Sequence, residues 1–149
     1  MILLLSVATI LSIGLMVGTE FSVWAFINPI LEKLDEPAHV EAVRLFARKL
    51  GATMPFWYSG NFFLLVVEAV LLRGQPTIGL LAAASGIWAA VIVLTLIFLV
   101  PINNRLSRQD NGLSREEAHR QHQRWDMLHR ARVAALGVAF VLLLIGLRG

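Results

Sequence analysis

Cysteine is missing from this chain of 149 residues, which excludes disulfides, thiolate metal sites and thiol redox relays. Charge is scarce as well, at 15% Asp, Glu, Lys and Arg against about 25% in an average soluble domain. Combined with 57% hydrophobic residues, that shortage excludes an ordinary soluble fold and indicates a chain solvated by lipid. Acidic residues are the minority charge, and the net excess of only +3 gives no support to a nucleic-acid partner. In an apolar chain the placement of basic residues reports on membrane topology first. The sequence has no internal repeat and no low-complexity tract, and its length suits one domain.

The apolar residues fall into four blocks, predicting membrane spans at about 2–27, 55–72, 77–100 and 126–147. Each is close to the roughly 20 residues that cross a bilayer. The first has no basic leader region and is read as a retained helix rather than a signal peptide. It is expected to end at Asn28-Pro29, because proline disfavours helical geometry in the residue before it, and the third is expected to end before Pro101. Between the first two spans, Asp35-Glu36-Pro37 opens a further helix and Gly51 is a plausible stop. Val40, Val43, Phe46, Ala47 and Leu50 form its apolar stripe, which suits a helix lying on the membrane surface or packed on the other loop. Ser114-x-x-Glu117 is a capping box, starting the fourth helix within its loop. Ala82 to Gly86 permit close helix contact, and a homo-oligomer stays open. The expected fold is all-α: a single domain, residues 1–149, built as a four-transmembrane-helix bundle with an interfacial helix in the first loop.

The chain is organised around Pro101 to Arg132, where polar residues run into apolar segments at both ends. An unsatisfied amide or charge in hydrocarbon costs several kcal/mol, so these groups must find partners. Glu20, Trp24 and Asn28 share one helix face by four-residue spacing. Tyr58, Asn61, Leu65 and Glu68 share another, as do His122, Trp125, His129 and Arg132. If both long connections lie on one side, Glu20, Asn61, Asn103 and His129 fall in one layer. A carboxylate, an imidazole, amides, indoles and a guanidinium around a cavity can remove a proton from an organic acid and hold the anion. Plain structural uses also exist: Glu20 as the partner of Arg132, Glu68 as that of Arg73, His129 as a carbonyl partner. Trp24 and Trp125 suit an interfacial belt, and Asn103 and Asn104 can cap the third helix. His119-x-x-His122 has the spacing of a metal pair but no clear third ligand. With only His129 entering the membrane, a haem is disfavoured.

Gly18-Thr19-Glu20-Phe21 followed by Asn28-Pro29, Pro101-Ile102-Asn103-Asn104, and Trp125-x-x-x-His129-x-x-Arg132 carry a family resemblance. In order and spacing, over nearly the whole chain, they resemble the anthrone oxygenase-like family of small four-span membrane proteins. The resemblance implies oxidation of a hydrophobic phenolic or anthrone-like aromatic substrate by O2, with no dedicated cofactor. Joined to the polar layer, it points to His129 or Glu20 as the base, with Arg132, Asn103 and Asn104 stabilising the anion. Trp24, Tyr58 and Trp125 would stack on the substrate, with Asn61 in the same layer. Three alternatives stand beside it. They are a metal ion held by Glu20, Glu68 and His129, a proton-coupled transporter using Glu20, and an assembly subunit whose polar layer binds a partner helix.

Lys33, Arg44, Arg48 and Lys49 lie in the first connection and Arg105, Arg108, Arg115, Arg120 and Arg124 in the third. The second connection and the tail carry only Arg73 and Arg148. By the positive-inside rule the chain is expected in the inner or plasma membrane, with both long connections cytoplasmic and both termini outside. Reporter fusions should place Asn111 inside and Gly74 outside; the reverse pattern would invert the topology.

Overall fold

In this computed structural model the backbone is described for residues 2–106 and 115–148, and the side chains for the same residues except 106, 115–119 and 122. The capping box and the His119-x-x-His122 pair lie outside the described residues. Helices account for nearly all of the described chain, without strands. They are α1 (Ile2–Leu31), α2 (Glu36–Leu71), α3 (Ile78–Arg105) and α4 (Arg115–Gly146). All four are long and apolar enough to cross a membrane, so the protein is an integral membrane helix bundle. The helices alternate in direction. α3 and α4 make the most extensive contact, and α1 packs on α2 and on α4.

Neither Pro29 nor Pro101 ends its helix. A proline ring clashes with the carbonyl four residues earlier and offers no N–H; here those carbonyls belong to Ala25 and Ile97. Each lies in a π-helical turn, Val23–Ile27 in α1 and Thr95–Leu99 in α3. In the wider turn the Asn28 amide bonds Val23 O and the Val100 amide bonds Thr95 O. Asn28 keeps helical angles, φ −57° and ψ −47°, although a proline follows. The expectation that α1 stops at Asn28-Pro29 is corrected accordingly: π turns absorb both prolines, and each helix continues for about one more turn.

Gly51 does not act as a stop either. The helix expected after Asp35 forms, but it runs as one 36-residue helix, with Pro55 inside it, to Leu71. At 1.5 Å per residue that is about 54 Å, far beyond the roughly 30 Å of hydrocarbon. Its first turns therefore project past the apolar layer or tilt across its boundary.

The two ends of the bundle are built differently. At the end holding the termini, Ile13, Met16, Leu65, Leu81, Ala84, Trp88, Leu136, Ala139 and Leu143 form a dense core. At Gly146 α4 lies close against α3: an added Cβ would stand 2.7 Å from Leu81 Cδ2, so a larger residue would force Leu81 to shift. Thr77 Oγ1 donates to Gly146 O at 2.7 Å beside it. Lipid tails are as apolar as leucine, so van der Waals packing and interhelical hydrogen bonds must hold such helices together. α1 and α2 are joined by a polar seam. Ser12 Oγ donates to Asn61 Oδ1 at 2.6 Å, Asn61 Nδ2 approaches Met16 Sδ at 3.1 Å, and Trp57 Nε1 donates to Ser12 Oγ at 3.1 Å. Further toward the termini, Ser6 and Thr9 donate to the two carboxyl oxygens of the fully buried Glu68 at 3.2 and 3.3 Å.

Replacing Asn61 with leucine strips Ser12 of its acceptor and should destabilise the folded protein by about 1–2 kcal/mol, the range for interhelical hydrogen bonds in lipid. Unfolding followed in detergent micelles measures this; an unchanged midpoint would mean the seam contributes nothing.

Candidate functional site

At the opposite end the helices diverge around a cavity of about 530 Å³. α1 contributes Glu20, Val23, Ile27, Asn28 and Leu31, with the π turn bringing the adjacent Ile27 and Asn28 both to the wall. α4 contributes Trp125, His129 and Arg132, and α3 contributes Ile92, Thr95, Leu96, Val100, Asn103 and Asn104. The projecting half of α2 walls the remaining side with Val43, Phe46, Ala47 and Leu50, followed by Met54 and Tyr58. The apolar stripe read as a surface-lying face thus lines the cavity.

Glu20 lies at the polar end of the cavity. It is only 3% exposed, and a carboxylate at this depth needs a compensating partner. Arg132 supplies it: Nη2 donates to Glu20 Oε2 at 2.6 Å and to His129 Nδ1 at 2.9 Å. His129 is 1% exposed, and its Nε2 sits 3.2 Å from the Glu20 carbonyl oxygen. A carbonyl only accepts, so Nε2 carries the proton and Nδ1 is the lone-pair acceptor for Arg132. The 3.4 Å approach of Nδ1 to Glu20 Oε2 is therefore bridged by the guanidinium rather than by a proton. Both ring nitrogens are engaged, and Trp125 stacks on the imidazole with centroids 4.7 Å apart and planes 8° from parallel. His129 is fixed by its neighbours on every side.

Farther out, Asn28 Nδ2 donates to Asp126 Oδ1 at 3.0 Å, and Arg130 pairs with Asp126 Oδ2 at 2.6 Å. This contact ties α1 to α4 beside the cavity. The Arg132 guanidinium carbon also stands 5.7 Å from the centroid of the Tyr58 ring, within cation–π range. Among the described residues, Arg132 Nε and Thr95 Oγ1 are buried without a hydrogen-bond partner, while the Tyr58 hydroxyl stands beside Glu20. Their residues all line this cavity. Buried polar groups are nearly always hydrogen-bonded, so a wall with two unused groups is suited to a ligand with polar atoms of its own.

Of the residues singled out from the sequence, Glu20, His129, Arg132, Asn103, Asn104, Trp125 and Tyr58 meet at this cavity. Trp24 does not line it; Val23 takes the wall, and Trp24 packs edge-on against Phe21 with centroids 5.5 Å apart. Asn61 is fully buried in the α1–α2 seam, one layer deeper. Glu68 touches Thr9, which is 11 residues before Glu20 on α1, or about 16 Å along the axis. The trio Glu20, Glu68 and His129 therefore does not converge, and no group of three or more His, Asp or Glu suited to a metal occurs among the described residues. Sequence reading places Thr95 at helical spacing with Ser85 and Trp88 but does not assign it to the site, and it gives no role to Asp126, adjacent to Trp125.

Removing only Arg132, as in Arg132→Met, leaves a buried carboxylate without its countercharge and should destabilise the protein by about 3–5 kcal/mol. The double variant Glu20→Gln with Arg132→Met should recover most of that loss. Chemical unfolding of the three variants in micelles tests the coupling, and additive effects would show that the pair does not act as a unit.

Comparison with curated proteins and with solved structures gives no match. The profile of one family, described as anthrone oxygenase, matches residues 44–142. The match spans about two thirds of the chain, from the cavity-lining half of α2 through the Trp125, His129 and Arg132 face of α4. Glu20 and Asn28 lie before it, but α4 side chains within the matched region hold both. The chain belongs to the anthrone oxygenase family.

Proposed function

We propose that the protein is a membrane oxygenase-like enzyme that deprotonates a hydrophobic phenolic or anthrone-like substrate and lets the resulting anion react with O2. The observation that carries this reading is a buried Glu20–Arg132 pair beside an apolar cavity whose unused polar atoms face the same space.

In this reading Glu20 is the base. His129 has both nitrogens occupied, by a carbonyl and by the guanidinium, and acts as a positioning residue that orients Arg132. Glu20 takes a proton from an acidic C–H, and the electron pair left behind delocalises onto the ring carbonyl oxygen. The negative charge moves from the carboxylate to the substrate while Arg132 stays between them, so the net charge of the site is unchanged. Such preorganised compensation lowers the cost of forming an anion in a water-poor cavity. O2 then forms a C–O bond with the anion; the peroxide takes up a proton, and loss of water leaves a second carbonyl. Asn103 and Asn104 supply amides near the mouth, and Trp125 and Tyr58 offer ring surfaces. The chemistry needs no resident cofactor, and the substrate partitions in from the bilayer. By the distribution of basic residues, the cavity end faces the cytoplasm.

The transporter alternative draws less support. A cation would have to displace a guanidinium already 2.6 Å from the carboxylate, and Arg132 Nε, which can only donate, repels it. An assembly role leaves the cavity and its unspent polar atoms without a use.

Purified protein in nanodiscs should consume O2 with an anthrone substrate and yield the matching quinone. Glu20→Gln should lower the rate by about 10²–10⁴-fold, the usual loss for a general base, while thermal unfolding of the variant is recorded alongside. Arg132→Lys should fall between, since charge survives without the planar fork. Near-wild-type turnover by Glu20→Gln would remove Glu20 from the base role, and no oxygen uptake by the wild type would remove the oxygenase reading.

A further inference from the structure

The walls of the cavity differ in what lies behind them. Among the described residues, every one that α1 and α4 contribute to the lining is buried or half-buried. The exposed lining residues all lie on α2 and α3. They include Arg48, Gly51, Pro55 and Ser59 on α2, and Leu96 and Asn104 on α3. A residue that borders the cavity and the outside at once marks an edge of the opening, so the opening runs between α2 and α3.

Depth decides what this opening faces. At about 1.5 Å per residue, Ser59 lies about 18 Å and Gly51 about 30 Å from the Leu71 end of α2, against roughly 30 Å of hydrocarbon. Arg48, about 35 Å from that end, stands beyond the apolar layer. Phe56, 80% exposed, and Leu96, 59% exposed, flank the slot at the apolar level. The stretch from Gly51 to Ser59 therefore opens onto acyl chains, whereas Arg48 and Asn104 mark the aqueous end. Gly51, Pro55 and Ser59 are four apart and stack on one helix face. The Ser59 hydroxyl donates to Pro55 O at 2.8 Å, so it leaves no free donor at this edge. A Cβ added at Gly51 would meet nothing within 4 Å, so no neighbouring helix fills the space beside it.

We infer that the slot at Gly51, Pro55, Ser59 and Leu96 is a lateral portal, through which flat apolar ligands pass between the bilayer and the cavity. The inference rests on the aromatic-substrate reading for the ligand, and it adds the route. A ligand dissolved in lipid reaches this edge by diffusing in the membrane plane, without crossing the charged boundary at Arg48. Inside the slot it meets Tyr58 and Thr95, the sequence neighbours of Ser59 and Leu96. Narrowing a passage slows entry and exit by the same factor and leaves affinity unchanged, which separates a portal residue from a binding residue.

The test uses anthrone as the probe, mixed anaerobically with protein in nanodiscs, and follows the quenching of tryptophan fluorescence in time. Gly51→Phe and Ser59→Phe place a ring in the slot without adding a tryptophan. Each should slow association and dissociation alike by about tenfold, within the one to three decades that association rates span among variants of one site, with Kd unchanged. Gly60→Phe is the control: Gly60 is exposed on the same helix and equally unobstructed, but does not line the cavity. Its rates should match the wild type, and equal slowing there would sink the portal. Unchanged association in both plugged variants would overturn it while leaving the oxygenase reading standing. So would a weaker Kd with unchanged association, which would make these residues part of the binding wall. Unfolding temperatures are recorded alongside, and a drop in both plugged variants would mean the slot is packed, again overturning the proposal. If the wild type shows no quenching, the aromatic-substrate reading fails and the portal falls with it.

Discussion

A carboxylate carried into a membrane span must be compensated where it lies, and this bundle does so twice by different means. Glu68 is surrounded by hydroxyl donors in a packed layer. Glu20 is held by a guanidinium at the edge of open space. The second solution fixes far more of the structure. One nitrogen of Arg132 serves Glu20 and His129 together, which sets how α4 is rotated against α1. His129 in turn grips the α1 backbone, and Trp125 covers its ring. Moving any one of these groups strands a buried polar partner, so the constellation holds or fails as a whole.

The two π turns belong to the same constraint. Each lies beside the cavity rather than in the packed end, and each allows a proline-containing helix to continue past the site. The extra turn is what brings Asn28 on α1, and Asn103 and Asn104 on α3, to the cavity as helical residues. π turns recur at functional positions in helices. Here the connection is geometric: a helix ending at Val100 would leave this wall without its amides.

Much of this was legible in the sequence, for identifiable reasons. Uninterrupted apolar blocks set the four spans, because hydrocarbon tolerates little else. The Trp125, His129 and Arg132 stripe was readable because three- and four-residue steps are the geometry of a helix face, and the isolated acid Glu20 needed a cation. The helix ends were not legible. Rules that let Pro29, Pro101 and Gly51 stop a helix come from settings where water takes over the freed backbone groups, whereas in lipid a wider turn or a bend costs less than a break. Trp24 shares a face with Glu20 and Asn28 only at regular α-helical spacing, and it lies in the π turn Val23–Ile27, where Val23 takes the wall instead; Asn61 lies at a depth that periodicity does not report. Thr95 was hidden for a further reason. A threonine in an apolar helix looks like one more self-bonded hydroxyl, and only the three-dimensional arrangement reveals that this one is not.

The glycine contact between α3 and α4 has a mechanical consequence. At Gly146 the two helices touch backbone to side chain, where an added methyl group would displace Leu81, and Thr77 adds a hydrogen bond there. Four rods clamped tightly at one end and separated by a void at the other act like tongs. The clamp is the fulcrum, and a small angular change there is amplified over the roughly 30 Å of helix that separates it from Trp125 at about 1.5 Å per residue. Compliance is thus concentrated where a flat molecule would have to pass between helices, and stiffness where nothing needs to move. Seen this way, the dense core near the chain termini sets how far the opposite jaws can part.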